Sequence, residues 1–411
     1  MAGLLSIDQA RAAVLEAVRP LGSETVAVGD ALGRVLAEDV AAANDVPPFD
    51  NSAMDGFALA AGPAGRELEV VGESRAGAPA TAAPGEGQAL RVSTGAVVPP
   101  GAEAVVPVER TRPAGSGAAA TSRSAAGGSA AAEASRIVVE AAVSPGQHVR
   151  RAGEDMRAGE VVLSRATVLG AAELGVAVVA GRARVEVAKK PRVALLITGD
   201  ELKDPGAPLG PGEIHESNGT TLGALARQAG AQIAHHGRVG DTRAATEEAI
   251  AQALDKADVV VLSGGVSVGP HDHVKPALEA NGVEQRFWRV ALRPGKPTWF
   301  GSTEDTLVFG LPGNPVSAMV TFLLFVRPAL AKLQGAPAEA QRVRAELAEP
   351  VQRNPGRDEA VRVRLDGNRA TPTGPQGSHQ LTSMLNADGL AIVTAGEETA
   401  EPGTTVEVEL I

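Results

Sequence analysis

Three short segments rich in glycine and polar residues could bind an anionic ligand. They are TGDEL (198–202), SGGVSVG (263–269) and GLPGNPVS (310–317), and each follows an apolar run. Glycine lets backbone N–H groups approach a phosphate-like anion, above all where a strand leads into a helix. One such segment alone is better explained as a turn that only packs, but three together favour a ligand site. The candidate residues of the last two are Ser263, Gly264, Gly265, Ser267, Pro312, Gly313, Asn314 and Pro315.

Four carboxylates, those of Asp200, Glu201, Asp241 and Asp272, fall at or just beyond the ends of predicted strands. Carboxylates beside a phosphate-type ligand would repel it, so a Mg²⁺ ion bridging them is the simplest explanation. Asp241 and Asp272 could equally cap helices, as Asn314 could at the start of its own helix. The histidines on either side of Asp272 have no further His or Cys nearby, so they do not form a zinc pattern.

Four basic residues form a local cationic group: Lys275, Arg289, Arg293 and Lys296. Such charges usually just face solvent, but Arg293 and Lys296 belong to RPGKP, whose proline and glycine residues restrict them. The whole chain carries a net charge of −11 and only 2% aromatic residues. Both values argue against nucleic acid as a partner, whereas a small anion depends only on the local cations.

The lack of cysteine, of a signal peptide and of a membrane-spanning stretch excludes several classes of protein. The chain has no cysteine, which excludes disulfides, zinc–thiolate sites and thiol catalysis and fits a reducing cytoplasm. The N-terminus lacks the cationic and apolar regions of a signal peptide. The apolar stretch 161–181 is interrupted by Arg165 and Glu173. We therefore expect a cytoplasmic protein with no membrane partner.

The strands and helices that must position these residues can be predicted from the alternation of apolar and polar runs in residues 191–334. RVALLITG, QIAHHGRV, DVVVLSGG and QRFWRVAL predict strands, and helices are predicted between and after them. This alternation indicates a doubly wound parallel sheet. Since ligands bind outside the carboxyl ends of such strands, the three glycine-rich segments should converge on one edge.

The rest of the chain has a different texture. A capping box of Ser6 and Gln9 predicts a helix at 6–20, and short valine-rich runs between turns predict an all-β region at 24–190. Residues 111–135 are mostly Ala, Gly and Ser, so we expect a flexible insert. The last seventy or so residues are again β-like. The predicted fold is therefore multidomain: a doubly wound α/β domain flanked by β-rich N-terminal domains and a small C-terminal β domain.

Taken together, the motifs go beyond composition. In chain order they are DNSAMDGFA, STGAVVPPGAEAVV, RRAGEDMRAGE, TGDEL, SGGVSVGPHDHVK, RPGKP, GLPGNPVS and QGSHQLTSM. This series resembles the molybdopterin molybdenumtransferase family, to which MoeA and the gephyrin E domain belong. The resemblance covers nearly the whole chain.

The resemblance implies four domains and an elongated homodimer. The corresponding ranges here are 1–44 with 146–190 for a linker and dimerisation domain, 45–145 for a β-rich domain, 191–334 for the molybdopterin-binding domain and 335–411 for the C-terminal domain. Members of the family use Mg²⁺, take adenylylated molybdopterin and molybdate as substrates, release AMP and leave the molybdenum cofactor. An adenylyltransferase and recipient molybdoenzymes are the protein partners that this chemistry implies.

The resemblance also assigns roles to residues. Asp55 and Thr94, which alone look like ordinary turn residues, would reach the site from the partner subunit. Glu201, Asp241 and Asp272 would form the acidic part linked to Mg²⁺. The glycine-rich segments would cradle the pterin and phosphate. The residues that would hold molybdate or the phosphate are Arg293, Lys296, Arg357 and Ser378, within the cationic group that also includes Lys275 and Arg289.

The chain departs from the family pattern at a few positions. Residues 289 and 293 are Arg where many relatives have Lys, so a fork replaces a point charge. Phe57 stands where Tyr is common, and the insert 111–135 is longer than usual.

Two other functions compete with this interpretation. A nucleotide pyrophosphatase of the competence-damage type would share TGDEL and SGG, but it does not explain SAMDG, RRAGED or the C-terminal domain. A non-catalytic scaffold or carrier would not need Asp55, Asp241, Asp272 and Lys296 together.

Overall fold

The computed structural model describes residues 4–115, 134–240, 242–265 and 273–411. Within these ranges the helices are α1 (Ile7–Ala17), α2 (Ala171–Val179), α3 (Asn218–Gln228), α4 (Arg243–Lys256), α5 (Val274–Ala280), α6 (Pro315–Thr321) and α7 (Arg327–Leu333). A π-helical turn, Phe322–Val326, joins α6 to α7. Short 3₁₀ turns lie at Val28–Asp30, Val108–Arg110 and Leu381–Met384.

The strands fall into an N-terminal, a central and a C-terminal group. The first twelve are β1 (Ser23–Ala27), β2 (Val40–Ala41), β3 (Asn51–Ser52), β4 (Gly56–Leu59), β5 (Glu67–Ser74), β6 (Gln88–Val92), β7 (Ala104–Pro107), β8 (Thr111–Pro113), β9 (Arg136–Val139), β10 (Val149–Arg150), β11 (Val161–Leu163) and β12 (Arg184–Ala188). The central strands are β13 (Arg192–Thr198), β14 (Leu202–Lys203), β15 (Ile214–His215), β16 (Gln232–Val239), β17 (Val259–Ser263), β18 (Glu284–Trp288), β19 (Leu292–Arg293), β20 (Trp299–Ser302) and β21 (Leu307–Leu311). The C-terminal strands are β22 (Arg342–Leu347), β23 (Asp358–Asp366), β24 (Arg369–Pro372), β25 (Gly389–Val393) and β26 (Thr405–Leu410).

The central sheet has the order β16-β13-β17-β21-β20-β18. The first four strands are parallel, so β13, β17 and β21 all present their carboxyl ends at one edge. The doubly wound α/β fold predicted from the sequence is confirmed. Strand β20 is the antiparallel member of the sheet, since it runs opposite to both of its neighbours, β21 and β18. The strand predicted from QRFWRVAL, β18, therefore runs in the same direction as the four parallel strands. One antiparallel strand in a largely parallel sheet is common.

Side chains of this sheet alternate between two apolar layers. In β13, Val193 and Leu195 face a layer built with α1, α3, α6 and α7, whereas Ala194 and Leu196 face a layer built with α4 and α5. Successive residues of a strand point to opposite faces, so an unbroken apolar run can fill both. Burial on both faces fixes the register of the strands and hence the positions of the loops at their ends.

The N-terminal helix α1 has the predicted capping box, in which Ser6 and Gln9 exchange hydrogen bonds of 3.0 and 3.1 Å. Its buried face, which includes Ile7 and Val14, packs into the first layer of the α/β domain. The division from the sequence grouped this helix with residues up to 44. In the structure only the later part of that range pairs with 161–188, through β1–β12 and β2–β11.

Residues 56–139 contribute a six-stranded sheet of order β7-β4-β6-β5-β9-β8, over a core that includes Phe57 and Ile137. Strand β8 occupies the first three positions of the segment predicted as a flexible insert. It forms because Thr111–Pro113 pairs with β9 and the Thr111 hydroxyl donates to Val108 O at 2.8 Å. Most of the insert lies outside the described residues.

The C-terminal strands close into a ring, β23-β24-β22-β26-β25, because β25 also pairs with β23. Strand β19 of the α/β domain pairs with the start of β23, with Leu292 opposite Asp358 and Arg293 opposite Glu359. This pairing brings the C-terminal domain close to the segment RPGKP.

Within the described residues, one helical stretch is long and apolar enough to cross a membrane, Pro315–Leu333. In the structure 78% of its apolar window is buried against the rest of the protein. Since α6, the π-helical turn and α7 form the first apolar layer, the core of the α/β domain accounts for this composition.

Candidate functional site

A cavity of about 710 Å³ lies at the carboxyl edge of the central sheet, and we call it the cleft. All three glycine-rich segments predicted from the sequence line it. TGDEL contributes Glu201, SGGVSVG contributes Gly264 and Gly265, and GLPGNPVS contributes Gly313 and Asn314. The full lining is Ile197, Thr198, Gly199, Glu201, Leu202, Ile214, His215, Glu216, Ser217, Asn218, Val239, Gly240, Thr246, Ser263, Gly264, Gly265, His273, Val274, Gly313, Asn314, Pro315 and His379.

Glycine is required where the second segment meets the first. Gly264 and Gly265 have positive φ values, 91° and 63°. A Cβ atom on Gly264 would lie 2.5 Å from Thr198 Oγ1, and one on Gly265 would lie 2.6 Å from Val274 Cγ2. The backbone therefore adopts a left-handed conformation and makes close contacts that only glycine allows. This arrangement leaves main-chain atoms at the wall of the cleft.

The side chain of Ser263 ties loops together and is 1% exposed. Its hydroxyl accepts a hydrogen bond from Asn218 Nδ2 at 2.8 Å and donates to Pro312 O at 3.4 Å. Asn314 occupies the N-cap position of α6 but makes no side-chain capping hydrogen bond. Its side chain is exposed at the cleft, which agrees with the ligand-binding alternative for this residue better than with the capping one.

Asn218 is a cleft residue that the sequence did not reveal. It is 8% exposed, and its Nδ2 also donates to Gly313 O at 2.8 Å. Because a main-chain carbonyl can only accept, this bond fixes which end of the amide is the nitrogen. Asn218 thus links the SGG and PGNP loops, while its Oδ1 is buried without a hydrogen bond. An Asn at the start of a helix usually signals only a cap, so its sequence position carried no separate signal.

The acidic side of the cleft contains Glu201 and Glu216. Glu201 is exposed, whereas Glu216 accepts a hydrogen bond from Gly219 N at 2.8 Å at the start of α3. Asp241, Asp272 and Ser267 lie outside the described residues. The helices that they could have capped begin differently: Thr242 caps α4 with its hydroxyl, and His273 is the N-cap of α5.

The four predicted cationic residues are not among the described residues that line the cleft. Lys275 follows the cleft residue Val274 and lies with its Nζ 3.0 Å from the centre of the Trp288 ring. The guanidinium carbon of Arg289 lies 4.0 Å from the same centre.

The other cations lie around RPGKP. Arg293 donates to Glu359 at 2.8 Å, Lys296 is exposed, and Arg357 donates to Asn354 at 3.2 Å. Glycine at position 295 lets the segment lie close to α6, since a Cβ atom there would be only 2.6 Å from Thr321 Cγ2.

The C-terminal domain brings the QGSH segment to the cleft. Ser378 O accepts a hydrogen bond from Val316 N at 3.1 Å, and His379 lines the cavity. Behind the segment, Arg362 is fully buried and donates to Ser383 Oγ at 3.1 Å and to Gly377 O at 3.4 Å. Burial lowers the pKa of Arg362 to about 10, and nearby Glu359 partly opposes this shift. His379 was missed in the sequence, although it lies within a motif that carried the resemblance.

Asp55 and Thr94 lie together but away from the cleft. The Asp55 carboxylate accepts a hydrogen bond from Thr94 N at 2.7 Å, and both side chains are exposed. Asp55 lines a separate cavity of about 150 Å³ together with Arg91 and Ser93. None of its lining residues lines the cleft. The predicted site residues therefore divide into two places within one chain.

Comparisons with known proteins cover the same regions. Residues 5–181 match the MoeA N-terminal region (domains I and II), residues 194–332 match a probable molybdopterin binding domain, and residues 344–411 match the MoeA C-terminal region (domain IV). The molybdopterin molybdenumtransferase of Haemophilus influenzae is 37% identical over 335 residues, 81% of this chain and 78% of the relative.

Two further relatives extend the match over the full length. The molybdopterin molybdenumtransferase of Bacillus subtilis is 33% identical over 419 residues, 99% of this chain and 94% of the relative. The crystal structure of the molybdopterin biosynthesis MoeA protein from Pyrococcus horikoshii OT3 superimposes with a TM-score of 0.81 at 29% identity, covering 99% of this chain and 100% of that one. This chain therefore belongs to the molybdopterin molybdenumtransferase family, whose members are transferases of molybdenum cofactor biosynthesis.

Proposed function

We propose that the protein inserts molybdate into adenylylated molybdopterin and releases AMP in a Mg²⁺-dependent reaction, giving the molybdenum cofactor. The observation that carries the proposal is the convergence of the TGDEL, SGG and PGNP segments around one large cleft at the carboxyl edge of the sheet. Relatives named molybdopterin molybdenumtransferases support the substrates. Main-chain groups beside glycine suit phosphate oxygens, and a cleft of this volume can take a small-molecule ligand.

The direct test is AMP release from adenylylated molybdopterin and Mg²⁺, measured with and without molybdate. We expect release to require molybdate and the product to reconstitute a molybdenum-free molybdoenzyme. Release that is indifferent to molybdate would show a hydrolase instead, and tight binding without turnover would show a carrier or scaffold.

The residues of the cleft are compatible with Mg²⁺ held jointly with substrate. Among the described residues no group of three or more His, Asp or Glu side chains is arranged to hold a metal. Mg²⁺ in phosphoryl-transfer sites usually takes one or two carboxylates and completes its shell with water and substrate phosphate. Glu201 is exposed at the cleft and forms no hydrogen bond or ion pair with its carboxylate among the described residues. We propose that the carboxylates of Asp241, Asp272 and Glu201 would hold the ion, which when bound offsets charge on the phosphates.

In this mechanism the chain mainly positions the substrates and stabilises charge. The glycine-rich loops bind the pterin and its phosphate, and Asn218 keeps those loops at a fixed separation. Molybdate is placed beside the dithiolene, and the phosphate is held, by a set of basic and polar residues: Lys275, Arg289, Arg293, Lys296, Arg357 and Ser378. A water that molybdate positions attacks phosphorus and breaks the bridging P–O bond, giving AMP and the pterin phosphate. If an oxygen of molybdate attacks instead, water then cleaves the Mo–O–P bond that it forms. The dithiolene sulfurs replace oxygen atoms of molybdate, which leave as water.

Asp241 is the sharpest test of the acidic group. Asp241→Asn is expected to abolish AMP release while the melting temperature stays unchanged, since the substitution keeps size and removes only charge. Activity within a fewfold of wild type would exclude its metal role. Thr242→Ala, which removes the hydroxyl cap of α4 next to it, is the control for damage to the helix start.

We propose further that the protein is a homodimer in which Asp55 and Thr94 complete the cleft of the partner subunit. Two observations support this. The Asp55 turn lines no part of its own chain's cleft. Near α2, Val161, Val168, Val178 and Val179 are each at least half exposed, an apolar surface of the kind that interfaces cover. The proposed domain ranges put this surface in the dimerisation domain, 1–44 with 146–190.

The proposed reaction places the enzyme in the cytoplasm. Its adenylylated substrate must come from an adenylyltransferase, and its product must pass to recipient molybdoenzymes.

A further inference from the structure

One arginine beside the Asp55 turn is partly buried and has no partner among the described residues. The Nε atom of Arg91 is buried without a hydrogen bond, and the guanidinium forms no ion pair with those residues. Arg91 in β6 is opposite Glu73 in β5, but the Glu73 carboxylate contacts Arg75 at 3.5 Å instead. Burying part of a cation without a partner is unfavourable, so Arg91 lowers the stability of the folded chain. A group of this kind is suited to an anion that the single chain does not supply.

Arg91 and Asp55 line the same cavity of about 150 Å³. The Asp55 carboxylate accepts a hydrogen bond from Thr94 N at 2.7 Å and forms no ion pair with Arg91. The backbone of Arg91 is fixed by pairing on both sides, with the fully buried Phe57 in β4 and with Glu73 in β5. A carboxylate and a guanidinium therefore face one space without neutralising each other.

The described lining of the cleft contains no basic side chain apart from histidine. It includes the carboxylates of Glu201 and Glu216, but no Lys or Arg. The proposed substrate carries two linked phosphate groups, whose oxygens are well matched by the planar fork of an arginine. An arginine brought in by another subunit would complement the charge of this lining.

We propose that Arg91 binds a phosphate oxygen of the adenylylated substrate in the partner subunit's cleft. The inference rests on the proposed function and on the proposed dimer, in which the Asp55 turn completes that cleft. Because Arg91 and Asp55 line one cavity, the movement of one into a shared site brings the other with it. No bond changes at Arg91: its N–H groups donate to the phosphate and hold it in place.

Stability and activity should respond differently when Arg91 is replaced. Arg91→Met keeps an unbranched side chain and removes the unpaired charge, so the melting temperature should stay the same or rise. Because a hydrogen bond between charged groups is lost, kcat/KM for adenylylated molybdopterin should fall about thirtyfold. A folded Arg91→Met protein with the kcat/KM of wild type would refute the proposal. So would a lowered melting temperature with a matching loss of activity, which is what a structural residue would give.

The matched control is Arg110→Met. Arg110 lies near the same sheet and carries the same charge, but it is exposed and lines neither the cleft nor the cavity of Asp55. Its replacement should leave kcat/KM within about twofold of wild type, as for most exposed residues away from a site.

Mixed dimers purified through two tags test whether Arg91 acts with Asp55 in the partner's cleft. Arg91→Met paired with Asp241→Asn should keep about half of the wild-type rate, because both changes fall in one site and the other site is intact. Arg91→Met paired with Asp55→Asn should be almost inactive, since each site then carries one change. Equal rates of the two mixed dimers would contradict the proposed location.

Binding of AMP, adenosine and molybdate shows which anion Arg91 contacts. Arg91→Met should raise the Kd for AMP about tenfold and leave the Kd values for adenosine and molybdate unchanged, since only the phosphate contact is lost. Weaker binding of molybdate with unchanged binding of AMP would overturn the assignment to phosphate. Failure of the proposed function is distinguishable. A wild-type protein that releases no AMP from the adenylylated substrate, but whose AMP binding weakens in Arg91→Met, would keep the phosphate contact and reject the reaction.

Discussion

The cleft and the Asp55 turn use polar groups in opposite ways. In the cleft, Ser263 and Asn218 are buried and bonded to one another, and a cavity of about 710 Å³ opens above them. At the Asp55 turn the carboxylate is exposed, has one hydrogen bond to Thr94 N, and faces a cavity of only about 150 Å³. The first region is preorganised to enclose a ligand, whereas the second offers a carboxylate on a turn. In the dimer proposed above, the turn adds a group to a cleft that binds without it.

The two regions also differ in how the surrounding fold fixes their position. The loops of the cleft end strands that are buried on both faces, so their positions follow from the register of the sheet. Among the described residues, no α-helix contributes to the apolar core against the sheet that carries the Asp55 turn. The geometry of the turn depends on local features such as Gly56, where a Cβ atom would overlap Val106 O. Four predictions test this contrast, from the largest expected effect to the smallest.

Removing a carboxylate charge from either region should abolish turnover. A dimer that carries one substitution in each subunit should recover part of it. Asp55→Asn and Asp241→Asn are expected to be inactive as pure dimers. A mixed dimer carrying one lesion in each chain should recover about half of the wild-type rate, because a two-fold dimer with shared sites collects both lesions in one site and leaves the other intact. The measurement is AMP release by mixed dimers purified through two different tags. Inactive mixed dimers would show that Asp55 does not act in the partner's cleft.

Loss of the link between the cleft loops should have the next largest effect. Asn218→Ala leaves Gly313 O and Ser263 Oγ without their donor, and a buried polar group left unpaired costs about 1–3 kcal/mol. If most of that cost falls on loop position, kcat/KM should fall about tenfold to a hundredfold. The control is Asn281→Ala, because Asn281 also donates to two carbonyls, Glu247 O and Ala277 O, and lines no part of the cleft. Equal losses in both variants would mean that stability alone explains the effect.

Loss of a buried ion pair away from the cleft and the Asp55 turn should lower stability and leave activity unchanged. Glu409 is 2% exposed and accepts from Arg11 at 2.7 Å and from Arg342 at 2.9 Å, which joins α1 to the C-terminal ring. Glu409→Gln removes the buried carboxylate and leaves Arg11 only a 3.8 Å contact with the exposed Asp8, so it should reduce the free energy of unfolding by about 3 kcal/mol. Urea unfolding measures the change, and kcat below the transition should be unchanged. Glu407→Gln, at a largely exposed contact with Arg342, should change stability by less than about 1 kcal/mol.

The smallest effect concerns pH near the Asp55 turn. Ala152 N–H donates to the Asp50 carboxylate at 2.8 Å, and this bond, with Arg151 at 2.6 Å, holds the pKa of Asp50 below its ordinary value. A carboxyl with a lowered folded pKa stabilises the protein above its unfolded pKa, and this contribution is lost as pH falls through the folded pKa. Thermal melts should therefore show wild type above Asp50→Asn at pH 7, with the gap narrowing below about pH 4. A gap that stays constant over this range would mean that the charge of Asp50 does not matter.

Much of the fold could be predicted because its signals are local. Apolar runs such as RVALLI and DVVVL end at glycine and polar residues, and the structure places those residues at the carboxyl ends of β13 and β17. The reversed direction of β20 could not be predicted, since an antiparallel strand has the same composition as a parallel one. The packing of α1 on the α/β domain was equally hidden, because its apolar face does not specify which apolar layer it covers.

The sequence by itself determined the doubly wound domain and the glycine-rich segments of the cleft, because strand ends and glycine backbones are set by neighbouring residues. Its ordered motifs also pointed to the family. Tertiary structure alone decided that Asn218 joins two loops 45 and 95 residues away, that Lys275 and Arg289 share the Trp288 ring, and that Asp55 lies apart from the cleft. The Asn218 contacts join segments far apart in the chain, and the other two features depend on where whole elements lie. All three depend on how the sheets and helices pack, and no local pattern of residues records that.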